Sequence, residues 1–459
     1  MGDGKNRHPR RIERNGRGNG AMRLRYRTGD QAWVRERNLA IVLNYIRDAG
    51  RPVSRSELVE KSGLNKTTVS SLVKELQSLA FIKDMGTSEP RPGRPGVLFG
   101  LNADAGRLIG VEIGVGFISV AVTDMAAQLV WHRKIETTLS EEFSERHQRN
   151  VLRSAERLVQ EAIKKGVGSH RLFGIGVGVP GLVDQGSGTL LFAPNLHWRN
   201  VPIRERWSEL FAVPVIVENE ANAAALGEQM FGNAQGVDDF IYLSAGVGLG
   251  GGIVVHGKLY GGSGGLAGEV GHMTIVPDGP QCNCGNRGCW ETLVSPTAII
   301  RQVREAIAKG RSPSFSIIAS DAKDSGALDT LRMDQVLKAA AHKDPVVVDI
   351  LNEVGRYLGI GIANLVNIFN PSLVVMGGVL SLVGPYVLAR AQEEVKTRSI
   401  APPGQGMKII LSRFKSDACV MGGVSLILRR ILSDPGAWRA KHSFRSRSDH
   451  ALVLQSSAL

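Results

Sequence analysis

Cysteine is scarce in this chain, with only four in 459 residues. Secreted domains held by disulfides need more, and no apolar leader segment follows the first residues, so we expect a reducing, cytoplasmic location. Long hydrophobic runs are also missing. Because a membrane-spanning helix needs about 18 or more consecutive apolar residues, the sequence predicts no membrane span.

Acidic residues are outnumbered by basic ones, 43 against 56, which gives a formal net charge of +13. The excess is concentrated in residues 1–37, which carry eleven Lys or Arg and four Asp or Glu. Such a charge favours a polyanionic partner. Residues 1–32 hold few large apolar side chains, so we predict a disordered basic arm, which either attracts DNA non-specifically or is an idle surface tail. Residues 435–459 are predicted to form a second disordered tail.

Apolar residues recur at helical spacing between 33 and 102, which predicts three helices. Ser54 and Glu57 form a capping-box pattern at the start of the second helix, and Gly63 ends it. Asn65 caps the third helix, whose exposed face is polar and free of acidic residues. Helix, glycine turn and helix together predict a helix-turn-helix, whose second helix would lie in a DNA major groove. A three-helix module that binds protein is the alternative.

A β-hairpin is predicted after the third helix, with strands at 81–83 and 97–101. The loop between them places Arg91 and Arg94 among Pro and Gly residues, and arginine on a thin extended loop can enter a minor groove. The segment resembles the winged helix-turn-helix of bacterial repressors. The predicted DNA-contacting residues are Asn65, Lys66, Thr67, Thr68, Ser70, Ser71, Lys74, Arg91 and Arg94.

Three of the four cysteines, Cys282, Cys284 and Cys289, lie within eight residues, shortly after His272. Thiolate and imidazole are donors that Zn²⁺ prefers, so the segment predicts a structural Cys3His zinc site with no open position for a catalytic water. A reduced cluster without metal and a disulfide are the alternatives. Cys419 lies in an apolar run and is predicted to be a buried core residue.

From residue 106 onward, apolar strands alternate with glycine-rich turns. The pattern of strand, glycine turn and strand occurs at 108–124 and again at 238–257, which predicts two related lobes around a cleft. Turns of this kind let backbone N–H groups approach phosphates, although glycine hairpins also serve tight packing.

Further motifs lie between 106 and 432, at 179–184, 193–198, 217–223, 246–252 and 265–272, in the cysteine cluster and at 370–378. Together they resemble the motifs of the ROK family, which groups sugar-dependent repressors with sugar kinases on an actin-like ATPase fold. The resemblance implies an α/β, two-lobed, actin-like (ribonuclease-H-like) domain at 103–434 that binds an effector and forms oligomers. A winged helix-turn-helix domain at 33–102 precedes it.

The resemblance also implies a sugar site, because the family binds pyranose hydroxyls with polar side chains at positions matched here. The implied sugar-binding residues are Asn195, Asn219, Glu220, Glu269, His272 and Glu291. His272 then serves twice, as a zinc ligand through one ring nitrogen and as a sugar donor through the other.

Positions that the family's kinases use for phosphoryl transfer are altered. Glu220 stands where the kinases carry a catalytic Asp, and its extra methylene displaces the carboxylate by about an ångström, a shift that can cost roughly 10²-fold in rate. Glu112 replaces an Asp at the first phosphate loop, and Val247 replaces a Thr in the second. We therefore expect no catalytic residue and no enzyme, with residual sugar kinase activity left open.

These observations predict a sugar-responsive transcriptional regulator, a repressor of carbohydrate uptake or catabolism genes. It would bind operator DNA through the winged helix and a monosaccharide or sugar phosphate in the cleft. A homodimer or homotetramer would match two half-sites about one helical turn apart. The alternatives are an active sugar kinase with an accessory DNA-binding module and a DNA-binding protein that ignores sugars.

Overall fold

Side-chain caps set the ends of the first helices. The computed structural model describes residues 31–87, 96–137, 145–311, 331–400 and 406–439. Its first elements are α1 (Gln31–Asp48), β1 (Val53–Ser54), α2 (Arg55–Ser62) and α3 (Lys66–Ser78). Ser54 Oγ accepts a hydrogen bond from the N–H of Glu57, and Asn65 Oδ1 accepts one from the N–H of Thr68. Gly63 ends α2 with φ of +68°. The predicted helix-turn-helix is confirmed.

The wing consists of two further strands, β2 (Ile82–Thr87) and β3 (Val97–Leu101). They pair antiparallel, and β1 joins the other edge to give the order β1-β3-β2. The winged module, as we call α1 to β3, therefore has the predicted fold. Arg91 and Arg94 of the predicted wing tip lie in 88–95, outside the described residues.

The first lobe is built on a five-stranded sheet. Its strands and those of a small neighbouring sheet are β4 (Arg107–Gly114), β5 (Phe117–Thr123), β6 (Leu129–Glu136), β7 (Leu172–Val179), β8 (Leu182–Asp184), β9 (Thr189–Ala193), β10 (Trp198–Val201) and β11 (Val215–Asn219). The large sheet has the order β11-β7-β4-β5-β6, and the small one has the order β10-β9-β8. The helices are α4 (Glu145–Ala162), α5 (Ile203–Phe211) and α6 (Glu220–Phe231).

The second lobe repeats this sheet pattern. Its strands are β12 (Phe240–Ala245), β13 (Leu249–Val255), β14 (Lys258–Leu259), β15 (Leu373–Gly378) and β16 (Lys408–Leu411), in the order β14-β13-β12-β15-β16. In both sheets three strands pair antiparallel and two more extend the sheet in parallel. The helices are α7 (Glu291–Val294), α8 (Pro296–Ala308), α9 (Met333–Ala341), α10 (Pro345–Phe369), α11 (Val379–Arg398) and α12 (Ala418–Ser433). The predicted two-lobed α/β fold is confirmed.

Helix α12 lies against both α6 and the first-lobe sheet, and glycines make this close approach possible. A Cβ on Gly422 would lie 2.0 Å from the carbonyl oxygen of Ala223 in α6. A Cβ on Gly423 would lie 2.6 Å from the carbonyl oxygen of Gly176 in β7. Any larger residue would force these elements apart, so the two glycines set the distance between α12 and its neighbours.

The far half of α12 shares one hydrophobic core with the winged module. Val424, Ile427 and Ile431 of α12 pack in the same cluster as Leu39 and Leu43 of α1. The Asn44 side chain also donates to the carbonyl of Leu432 at 2.9 Å. The predicted boundary between the domains at 102 and 103 therefore separates two units that share a core.

The two ends of the described part of the chain differ from the prediction. Helix α1 begins at Gln31, inside the predicted arm of 1–32. The prediction of a disordered tail from 435 is wrong for 435–439, because Pro435–Trp438 form a 3-10 turn and Trp438 is only 4% exposed. The cause is a long-range contact, since the Trp438 ring packs edge-on against Phe173 with ring centres 5.4 Å apart. No helix in the described ranges is long and apolar enough to cross a membrane.

Candidate functional site

A cavity of about 240 Å³ lies between the two lobes. All six predicted sugar-binding residues line it: Asn195, Asn219, Glu220, Glu269, His272 and Glu291. A sugar hydroxyl is both a donor and an acceptor, and this wall supplies amides, carboxylates and an imidazole. The volume is at the small end for a ligand pocket, where values of about 300 Å³ or more are usual.

The junction of β11 with α6 fixes Asn219. Its Oδ1 caps α6 by accepting from the N–H groups of Ala221 (2.9 Å) and Asn222 (3.2 Å). Its Nδ2 donates to the carbonyl of Gly181 at 3.0 Å. An amide nitrogen has two hydrogens, so one donor remains for a ligand, on a side chain that the protein already holds in place.

Glu220, the first residue of α6, is half-buried at the same junction. Burial and the charge of Glu269 raise its pKa to about 7. Burial also raises the pKa of Glu269, with His272 opposing the shift and Glu291 adding to it. Near neutral pH the Glu220 carboxyl therefore both donates and accepts hydrogen bonds, as a hydroxyl partner requires.

The two ring nitrogens of His272 have different neighbours. Nδ1 lies 3.7 Å from Cys282 Sγ, and Nε2 lies 3.8 Å from Glu269 Oε2. Nδ1 also lies 3.7 Å from Oε1 of Glu291, so each ring nitrogen has a cavity carboxylate nearby and Nδ1 in addition faces Cys282. The predicted double role of His272 therefore needs Nδ1 on the cysteine side and Nε2 on the cavity side.

The cysteine cluster has the donor set and spacing of a tetrahedral metal site. One donor atom each from His272, Cys282, Cys284 and Cys289 lies within 4.8 Å of the other three. The Sγ atoms of Cys284 and Cys289 are 3.7 Å apart. With Zn–S bonds of about 2.3 Å, the edge of a tetrahedron is about 3.8 Å, so zinc fits. In this structure all three cysteines are free thiols, and the distance between Cys284 and Cys289 is well beyond a disulfide bond of about 2.0 Å.

Metal binding would also resolve the charge state of the buried thiols. Burial raises the pKa of the Cys282 thiol and that of the Cys289 thiol, so both are neutral at pH 7 when no cation is bound. The Cys282 thiol then donates to Glu291 Oε1 at 2.9 Å. A cation bound by the cluster favours the thiolates, because its positive charge stabilises the negative sulfur atoms that burial disfavours.

Backbone geometry holds the cysteine loop beside the cavity. The N–H of Cys282 donates to the carbonyl of Asn286 at 2.8 Å, which closes a tight turn. Gly288 has φ of +63°, and a Cβ there would lie 1.5 Å from the carbonyl oxygen of Val276. Glu291 follows and accepts a long hydrogen bond of 3.4 Å from the N–H of Leu249. The loop therefore connects the metal donors to the wall of the cavity.

Asn283 is a cavity residue that the sequence analysis did not single out. It lies between two of the cysteines, lines the cavity, and places Nδ2 3.5 Å from Oδ1 of Asn195. Asn195 belongs to the first lobe and Asn283 to the second, so this contact crosses the cleft. The available signal was its position between two predicted metal ligands, which ties its backbone to the cluster.

A second cavity of about 340 Å³ adjoins the first and shares Asn195, Glu220 and Gly248 with it. Glu112 of β4 lines it, is 9% exposed, and has an Oε2 atom with no hydrogen-bond partner. Burial and the charge of Glu220 raise the pKa of Glu112 to about 8, so this carboxyl is mostly neutral at pH 7. A neutral carboxyl is a poor ligand for a divalent cation.

The turns around this second cavity are partly apolar. Val115 and Phe117 line it from the first glycine turn, and Val247 lines it from the second. A Cβ on Gly114 would meet the Phe117 ring at 2.3 Å, so that ring occupies the space beside the first turn. Apolar groups at these places cannot hydrogen-bond to phosphate oxygens, which agrees with the altered kinase positions in the sequence.

The predicted DNA-contacting residues of α3 lie on its solvent side. Lys66, Thr67 and Lys74 are exposed, and Thr68, Ser70 and Ser71 are half-buried. Two of the predicted contacts already have partners, because Asn65 Oδ1 caps α3 and Ser71 Oγ accepts from Arg35 at 3.1 Å. The lysines and threonines are therefore the freest groups on this face for phosphate or base contacts.

A winged module joined to a two-lobed domain with a polar cavity between the lobes is the arrangement of a DNA-binding regulator built on a sugar-kinase fold. The ROK family model matches residues 108–430, and the chain belongs to the ROK family. The xylose repressor of Caldicellulosiruptor bescii is 34% identical over 408 residues, which are 89% of this chain and 99% of that repressor.

Solved structures of a regulator and of a kinase both resemble this chain. A ROK family transcriptional regulator described as a homologue of the E. coli MLC protein has a TM-score of 0.75 and 29% identity, covering 87% of this chain and 97% of its own. A ROK family glucokinase from Streptomyces griseus, in complex with glucose and AMPPNP, has a TM-score of 0.59 and 33% identity. It covers 99% of its own chain but only 70% of this one. The regulator matches more of the chain than the kinase does.

The raised pKa values of Glu112 and Glu220 predict a pH-dependent stability. Both acids bind protons more tightly in the folded than in the unfolded chain, so their stabilisation is present at low pH and lost as pH rises through about 7 to 8. The melting temperature of the ligand-free protein should fall between pH 6.5 and 8.5. In Glu112→Gln, which keeps a neutral side chain, the free energy of unfolding should fall less steeply with pH. The difference in its slope against pH should be up to about 1.4 kcal/mol per pH unit. Glu209→Gln, at an exposed position, is the control, and an unchanged slope in Glu112→Gln contradicts the assignment.

Proposed function

We propose that this protein is a sugar-responsive transcriptional repressor. The observation that carries the proposal is one helix, α12, which lines the second cavity with Ala418 and Cys419 at one end and packs into the core of the winged module at the other. A ligand that changes the lobe arrangement therefore acts on an element that the DNA-binding helices share. The match to xylose repressors over 89% of the chain supports the same function and makes xylose the first sugar to test.

The sugar would bind between the lobes and contact both of them. Asn195 and Asn219 belong to the first lobe, while Glu269 and Glu291 belong to the second. A pyranose that hydrogen-bonds to all four side chains favours the closed arrangement of the lobes. The size of this effect equals the difference between its binding free energies for the closed and the open state. Closure would then move α6 and α12 together, because Gly422 packs directly on Ala223.

DNA binding would use the α3 face and require at least a dimer. The exposed Lys66 and Lys74 would contact phosphates, and Thr67 would reach base edges. Two winged modules must fit half-sites about one helical turn apart, so a small rotation of each module changes the fit. A homodimer or homotetramer acting on the chromosome in the cytoplasm meets this requirement.

Zinc would have a structural role in this mechanism. When bound by His272, Cys282, Cys284 and Cys289, it supplies a rigid centre that orients the loop. Four protein ligands leave no position for an activated water. The consequence for sugar binding is indirect: His272 and Glu291 keep fixed places on the cavity wall, and Nε2 of His272 is left to donate to the ligand.

The alternative function, an active sugar kinase, is favoured by the match to the glucokinase and by the position of Glu220 at the start of α6. We expect no sugar-dependent ATP consumption with a panel of pentoses and hexoses. The Glu112 carboxyl is largely neutral at pH 7, and Val115, Phe117 and Val247 place apolar side chains at the two glycine turns of the second cavity. A coupled assay for ADP release measures this. Sustained turnover with any sugar would make the protein an enzyme.

Operator binding tests the main proposal. Footprinting on DNA next to the protein's own gene should show protection that one sugar changes and its epimers do not. Glu269→Gln should weaken binding of that sugar about tenfold or more, because a charged hydrogen bond contributes about 1.5 to 3 kcal/mol. Its operator affinity without sugar should stay at the wild-type value.

The matched control for that variant is Glu393→Gln, an exposed acid on α11 remote from the cavity, which should leave sugar affinity unchanged. Calorimetry measures the sugar affinities, and gel shifts measure the operator affinities. The effector proposal fails when no sugar changes the operator affinity of the wild-type protein.

Metal analysis tests the zinc proposal. Purified protein should retain close to one zinc per chain after dialysis. The double variant Cys282→Ala with Cys289→Ala should lose it and melt at a lower temperature, because metal binding contributes to folding. Cys419→Ala is the control, since Cys419 is buried outside the cluster. Zinc retained by the double variant would place the metal elsewhere.

A further inference from the structure

Arg439, the last residue that the structure describes, contacts two helices of the winged module. Its Nη1 lies 2.6 Å from Oε1 of Glu36 on α1, and its Nε donates to Oε1 of Glu75 on α3 at 2.9 Å. Glu75 receives a second cation on its other oxygen, because Nη2 of Arg35 lies 2.6 Å away. The helix that carries the predicted DNA contacts is thus held by one arginine from its own module and one from the far end of the chain.

The segment that delivers Arg439 is anchored on the first lobe. The 3-10 turn Pro435–Trp438 follows directly after α12, and Trp438 packs on Phe173 of β7. Arg171 donates to the carbonyl of Trp438 at 3.0 Å and also stacks over the Phe173 ring. The backbone next to Arg439 is therefore tied to the first lobe, and Trp438 also belongs to the core that α12 shares with the winged module.

Glu75 is charged and well placed to respond to Arg439. Its side chain is only 14% exposed, and burial by itself would raise its pKa, but the hydrogen bonds from Arg439 and Arg35 outweigh burial and lower the pKa. An isolated surface ion pair contributes little to stability. Here two arginines share one half-buried carboxylate, so displacement of either one changes the balance of forces on α3.

We infer that Arg439 is a positioning residue for DNA recognition, which transmits the state of the lobes to α3 through Glu75. This inference rests on the proposed function, because Arg439 would be the last contact between the sugar-binding lobes and helix α3. The route begins at Glu220 and α6, passes to α12 through Gly422, and continues through the turn that ends at Arg439. Arg439 acts only by setting the angle of α3, through contacts with Glu36 and Glu75.

The test compares two arginines that bind the same carboxylate. Arg35→Ala removes the cation that belongs to the winged module, and Arg439→Ala removes the one that the lobes hold. Operator affinity is measured for both with and without the active sugar. The quantity compared is the ratio of the operator affinity without sugar to the operator affinity with sugar. Arg35→Ala should weaken operator binding but keep the wild-type value of this ratio. Arg439→Ala should bring that ratio towards one, a loss of about fivefold or more in coupling.

Further readouts separate positioning from a loss of folding. Sugar affinity from calorimetry and zinc content should be unchanged in Arg439→Ala. Arg439→Lys keeps the charge but cannot hold two carboxylates with a planar fork, so it should restore part of the ratio. If Arg439→Ala does not fold, Arg439→Lys and Arg439→Gln replace it, and a graded loss of the ratio supports the inference.

The outcomes that overturn the inference differ from those that overturn the proposed function. A folded Arg439→Ala protein with the wild-type ratio overturns the inference alone. An equal shift of the ratio towards one in Arg35→Ala also overturns the inference, because it would show that the loss of either arginine contact with Glu75 has this effect. A wild-type protein whose operator affinity no sugar changes overturns the proposed function, and the inference falls with it.

Discussion

The close packing of α12 against α6 and the first-lobe sheet is the constraint on which the rest of the molecule depends. Gly422 and Gly423 allow backbone to approach backbone, so the helix has no side-chain layer there to absorb a displacement. Packed interfaces of this kind shift between discrete arrangements and do not deform continuously. The remaining turns of α12 then complete the core of the winged module. Ligand cleft and DNA-binding helices are thereby parts of one packed unit.

Much of the fold was predictable because its signals are local. The caps at Ser54 and Asn65, the stop at Gly63 and the repeated strand and glycine-turn pattern all depend on neighbouring residues. The cysteine cluster was predictable for the same reason, since three donors fall within eight residues. The six cavity residues came from the resemblance to a family, and the structure places them around one cavity. Their role in binding sugar stays a proposal.

What the sequence did not predict depends on contacts between distant residues. The tail from 435 looked disordered because its composition is polar, yet Trp438 finds a partner in Phe173, 265 positions earlier. Asn283 was not recognised because its partner Asn195 lies in the other lobe. The raised pKa of Glu112 follows from burial beside Glu220, which no spacing along the chain indicates. Periodicity and motif spacing carry no information about such pairs.

The shared core has a consequence for synthesis of the protein. Residues 31–101 leave the ribosome early, but part of the apolar surface of α1 is covered by α12 and Trp438, and α12 begins 370 residues after α1 ends at Asp48. A domain with a core of its own can fold as it emerges, whereas part of the core around α1 comes from a helix that is made after both lobes. The packing of α1 in the winged module is therefore complete only once both lobes have been synthesised.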